Sequence, residues 1–120
     1  MNKSFTKALQ TNSLDDIVLI PKSDLHSHAG RGGNVKYLSA WAGKKIPLPP
    51  AKFQSLADMQ EWYSNNIRYL SCGVEGQIKR WEACFKQACD DNITVLALSF
   101  SVAEIELVGG IDNFIELVTK

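Results

Sequence analysis

Two short extended segments, separated by a long stretch of helical and loop pattern, limit what this chain can fold into. The first is Asp24-Leu25-His26-Ser27-His28. The second, Ile93 to Phe100, is the strongest strand signal in the sequence, and its near-continuous apolar character suits a parallel strand buried on both faces. Between them lie two helical patterns. One opens at Ser55, with Asp58 three residues on as in a capping box, and carries Leu56, Met59, Tyr63, Ile67 and Leu70 at helical spacing. Cys72-Gly73 ends it. The other sets Val74, Ile78, Trp81, Phe85 and Ala88 on one face and closes at Asp90-Asp91-Asn92. A crossover of that length is what parallel strands need, so the two segments are expected to pair in parallel. The order strand, helices, strand, helix is the grammar of a parallel α/β sheet or barrel.

The remaining stretches fill in around this frame. Residues 3–11 suit a short helix. The β-branched run Ile17-Val18-Leu19-Ile20 carries an extended reading upstream, with Pro21 marking an edge, a bulge or a strand start. Three glycines in Ala29-Gly30-Arg31-Gly32-Gly33-Asn34 favour a loop. Val35 to Ala42 suits a short helix, and Lys44 to Lys52, with Pro47, Pro49 and Pro50, an irregular connection. Gly109-Gly110 makes a turn before a helix beginning at Ile111. Residues 1–16 then form an N-terminal extension. Residues 17–120 carry the first strand, a helical insertion, the second strand and the start of the next helix.

Charge and cysteine usage exclude several classes. The 13 Lys+Arg balance 13 Asp+Glu without a basic run, so no nucleic-acid partner is expected. Met1 to Gln10 has no apolar core of a secretory signal, and the apolar stretch Ile93 to Phe100 is too short to cross a bilayer, so no membrane partner is expected. Cys72, Cys84 and Cys89 form no CxxC pair; an odd count without a leader fits a reduced, cytoplasmic protein. They read as small apolar residues on helix faces. Trp41, Trp62, Tyr63, Tyr69 and Trp81 read as core.

The chemistry sits in His26-Ser27-His28, which holds both histidines of the chain. On a strand, residues i and i+2 share a face, so both imidazoles project into one space. Asp24 has the same parity, while Leu25 faces the other way to pack under a helix. The glycine loop that follows puts the pair at the strand's carboxyl end, where parallel α/β folds bind ligands. Two neutral imidazoles there suit a divalent transition metal; the bland alternative is two ordinary histidines. Asp24 is read either as a carboxylate orienting a ligand histidine or as a solvated group capping the next turn. Gly30 and Arg31-Gly32-Gly33 could cradle an anion through backbone N–H groups and the guanidinium; the alternative is a flexible loop with an exposed arginine.

Ile20-Pro21-Lys22-Ser23-Asp24-Leu25-His26-Ser27-His28 resembles the opening signature of adenosine deaminase-like enzymes of the amidohydrolase superfamily. The later helices and the second strand are similar in order and spacing to that family's first third. The resemblance implies an α/β fold, the incomplete N-terminal portion of a (β/α)8 TIM-type barrel, since such barrels take about 250 residues. It implies a metal-dependent aminohydrolase acting on the cyclic amidine C–N bond of a purine or purine nucleoside. His26 and His28 would be ligands to Zn2+ or another divalent transition metal. His28, Gly30 and Arg31 would lie against the substrate. The third histidine, the aspartate and the glutamate that complete the family's site have no counterpart after His28, so no catalytic residue is assigned. The chain is therefore expected to be truncated and inactive in isolation, with unpaired strand edges open to self-association. One departure concerns the substrate. Where the family has an aspartate and glycine contacting the sugar, this sequence has Gly30-Arg31, which weighs against adenosine itself. The H-x-E and P-C-x-x-C signature of the other zinc deaminases is absent from the sequence. A PHP-type metal phosphoesterase, which also opens with a DLHxH-like strand, and a non-catalytic fragment are the alternatives.

Overall fold

The computed structural model describes residues 3–31 and 33–119; the expectations placed on Met1, Asn2, Gly32 and Lys120 lie outside them. Helices α1 (Lys3–Gln10) and α2 (Leu14–Val18) precede strand β1 (Lys22–His28). Helix α3 (Val35–Ala42) and helix α4 (Leu56–Tyr63) follow, the latter continued by a π-helical segment, Ser64–Arg68. Helix α5 (Gly73–Asp90), strand β2 (Ile93–Ser99), α6 (Val102–Leu107) and α7 (Ile111–Val118) complete the order.

β1 and β2 pair in parallel, as the crossover length requires. The barrel expectation does not hold. The described residues contain one two-stranded sheet and seven α-helices, an assembly with no evident relation to an incomplete TIM-type barrel. The physical reason lies in how the sheet is covered. Helix α5 packs against β2, while Leu25 stays 72% exposed and Val95 54%. Leu25 therefore does not pack under a helix, and the apolar run of β2 is not buried on both sides.

Helix α5 is the wall on which both cores rest. Its Ala83 joins Leu38, Ile46 and Ile67 in one buried cluster, and its Trp81 joins Ala29 and Val108 in another. Trp81, Phe100 and Phe114 meet edge-on, with ring centroids 4.8–5.6 Å apart. The α5 face actually buried is rotated from the expected one: Val74 and Phe85 are exposed, while Gln77 and Arg80 are buried. Tyr69, expected in the core, is also exposed.

Local chemistry overrode propensity before β1. Ile17-Val18, read as extended, end α2 instead. The Ser13 hydroxyl accepts from the Asp16 N–H, and Asp15 and Asp16 favour the helix N-terminus. At the other end the Lys22 ammonium donates to the carbonyls of Ile17 (2.8 Å) and Ile20 (2.9 Å), satisfying helix-end acceptors. Asn34 caps α3 through the Tyr37 N–H and ties it to α5, where Ala83 O accepts from its backbone and Asp90 from its amide. Ser55 caps α4 through the Asp58 N–H. No helix among the described residues is long and apolar enough to cross a membrane.

Candidate functional site

The two histidines stand together at the carboxyl end of β1, their ring centroids 5.1 Å apart and their planes at 78°. Both are exposed. Asp24 does not join them. β1 pairs Asp24 with Leu96 but Ser27 with Leu98, so β1 carries one more residue than β2 between these points. This is a β-bulge, and it breaks the alternation on which the shared face of Asp24 depended. His28 pairs with Ser99, three residues beyond Leu96, so the register sets Asp24 and His28 on opposite faces. The Asp24 carboxylate accepts from the His26 backbone N–H at 3.1 Å, stabilising the bulge.

His28 also lines a cavity of about 670 Å³ at the carboxyl ends of both strands. Gly30 lies in its floor, where a Cβ would come within 1.9 Å of Glu104 Oε1; only glycine leaves room for that carboxylate. Tyr63 donates its hydroxyl to the Gly30 carbonyl, and burial foremost raises the Tyr63 pKa. Arg31 is exposed at the rim, its guanidinium carbon 6.0 Å from the Tyr63 ring centroid. Arg68 reaches the same cavity from the π-helical segment, whose i→i+5 bonding is the kind of distortion that often marks functional sites. Behind the strand end, the Cys84 thiol donates to the Ala29 carbonyl at 3.2 Å. Its pKa is pushed up to about 11, by burial first and then by the Glu104 and Asp24 carboxylates. It is therefore a neutral thiol supporting the loop and not a nucleophile.

The deepest part of the cavity is polar. Arg80 is 6% exposed; its Nη1 donates to the carbonyl and hydroxyl of Ser71, and its Nη2 to the Gln77 side-chain carbonyl. Gln77 passes the chain on to Glu104 (3.2 Å), whose other oxygen accepts from the Ser101 N–H. Ser71 can approach because residue 76 is glycine: a Cβ there would lie 2.3 Å from the Ser71 carbonyl carbon. Arg80 has no carboxylate partner among the described residues, and its Nε–H is buried without an acceptor. A buried guanidinium held only by neutral acceptors is costly, on the order of several kcal/mol.

Of the residues singled out from sequence, His28, Gly30 and Arg31 meet at this cavity; His26 neighbours His28 outside its lining, and Asp24 is turned away. Sequence reasoning missed Tyr63, Arg68, Arg80 and Glu104. The one available signal was Gly76, a glycine inside a helix, which costs about 1 kcal/mol against alanine and points to close backbone contact. As a metal centre the site is partial. Two rings this close can each turn a nitrogen to a shared ion at about 2.1 Å. Yet no group of three or more His, Cys, Asp or Glu able to hold a metal occurs among the described residues. The chain matches no protein-family model, no curated protein and no solved structure. The likeness to adenosine deaminase-like enzymes thus rests on the residues from Ile20 to His28.

Proposed function

We propose that His26 and His28 supply two imidazole ligands to a divalent transition-metal ion, zinc in the first instance, in an aminohydrolase acting on a purine or purine nucleoside. The observation that carries the reading is the 5.1 Å adjacency of the two rings at the strand end, with His28 opening onto a cavity. The ion's contribution is to acidify water into a nucleophile near neutral pH. The chain's contribution is positional. β1 presents the rings, Cys84 and Tyr63 pin the carbonyls of the following loop, and the cavity gives a planar ring system room beside His28. The remaining ligands and the proton-transfer group come from outside these residues. Cys72, Cys84 and Cys89, none of them in a disulfide among the described residues, suit a cytoplasmic setting.

A second reading is favoured by the absence of a third metal donor near the pair among the described residues: the chain binds metal weakly and has no turnover by itself. One experiment separates the two. Co2+ titration, read by visible absorption, is run on the chain and on the His26→Ala, His28→Ala double variant, with ammonia release from adenine and adenosine measured in parallel. Cobalt binding lost in the variant, with no ammonia released, is the expected result for the isolated chain. Equal binding by both proteins would sink the ligand assignment. Zinc-dependent ammonia release by the chain, lost in the variant, would show a complete site and overturn the second reading.

A further inference from the structure

The cavity beside His28 carries more positive charge than a purine ring or a metal ion would call for. Arg31, Arg68 and Arg80 line it against a single carboxylate, Glu104, which leaves two uncompensated positive charges in a chain of formal net charge zero. The excess is therefore local. Glu104 does not neutralise Arg80, because its two oxygens are taken by the Gln77 amide and the Ser101 N–H. Arg80 is the telling residue. It is more than nine-tenths buried, is held in place by Ser71 and Gln77 with no carboxylate partner among the described residues, and contributes to the cavity lining. The first turn of the 18-residue helix α5 enters the same cavity at Cys72 and Gly73, and Cys72 places no side-chain cap on its N–H groups. Unsatisfied donors at a helix start favour anions.

We propose that this cavity binds a small molecule through a phosphate monoester, the dianion lying between Arg80 and the start of α5 with Arg31 and Arg68 closing over it from the rim. A carboxylate would leave one positive charge uncompensated; a phosphate dianion balances both and offers three oxygens to forked guanidinium donors. The histidine pair plays no part in this argument, so the site stands whether or not His26 and His28 hold a metal. Combined with the function proposed above, it would make the substrate a phosphorylated one, in keeping with Gly30 standing where the resembled enzymes have a sugar-binding carboxylate and Arg31 standing next to it.

The probes are inorganic phosphate and ribose 5-phosphate, with ribose as the neutral control, added at constant ionic strength in metal-free buffer. Thermal melting and calorimetry are read on the chain, on Arg31→Gln with Arg68→Gln, and on Arg80→Lys. Both rim arginines are exposed, so their replacement leaves the fold intact even if the Arg80 variant unfolds. Ribose 5-phosphate should raise the melting temperature of the chain while ribose does not. The rim double variant should bind it at least about tenfold more weakly. An equal response to ribose, no response to either phosphate, or an undiminished response in the rim variant would each overturn the proposal.

Discussion

The rim and the floor of the cavity are built on opposite principles. At the rim, His28 is exposed with His26 beside it outside the lining, and the two rings owe their adjacency to spacing along one strand. On the floor, Arg80 is buried, and it owes its place to contacts that α5 makes with Ser71 and Gln77. A site of the first kind can change its chemistry at small cost to the fold. A site of the second kind is part of the fold, because removing it leaves its buried hydrogen-bond partners unsatisfied.

Substitution at Arg80 should show the largest difference. Arg80→Ala removes the donors to Ser71 and Gln77 and is expected to cost about 3 kcal/mol in urea unfolding. A loss below about 1 kcal/mol would mean that the floor tolerates change as the rim does. The next effect is a pH dependence at Cys84. Its folded pKa of about 11 exceeds the ordinary 9.0. Between those values the unfolded chain releases a proton that the folded chain keeps, so this contribution is intact below pH 9 and is lost as pH rises toward 11. The loss is about 2 kcal/mol, read as the difference in pH slope between the chain and Cys84→Ala. A smaller effect belongs to Gly30→Ala, which forces Glu104 off its two partners. Losing that cap and hydrogen bond is expected to cost about 1 kcal/mol, and Glu104→Ala in the same chain should remove most of the penalty of the added methyl. Smallest of all, His26→Ala with His28→Ala should shift stability by less than about 0.5 kcal/mol. A drop comparable to that of Arg80→Ala would erase the distinction between rim and floor.

What could be read in advance follows the same division. The parallel pairing follows from crossover length, and the bounds of α3, the Ser55 cap and the histidine adjacency follow from residue types and spacing within one segment; the structure has all four. The extended reading of Ile17-Val18 failed because a serine cap and a lysine reaching back from β1 outweighed β-branched propensity. The barrel failed because sheet covering depends on where helices dock, which an apolar run does not encode. Arg80 was invisible as a site residue because its burial requires Gly76 to admit the Ser71 backbone, a contact between segments. Asp24 was misplaced for a related reason: its face depends on the residue count in the opposite strand.

That count has a further consequence. The bulge in β1 works as a phase slip in a two-beat rhythm, with Leu25 and His26 set against Ala97 alone. One residue inserted between Leu96 and Leu98 would pair Asp24 to His28 residue for residue with β2 and set Asp24 on the histidines' side. Three polar side chains would then share one face where two do now. In genetic terms a single codon decides whether Asp24 shares a face with the two histidines, and that codon belongs to the neighbouring strand.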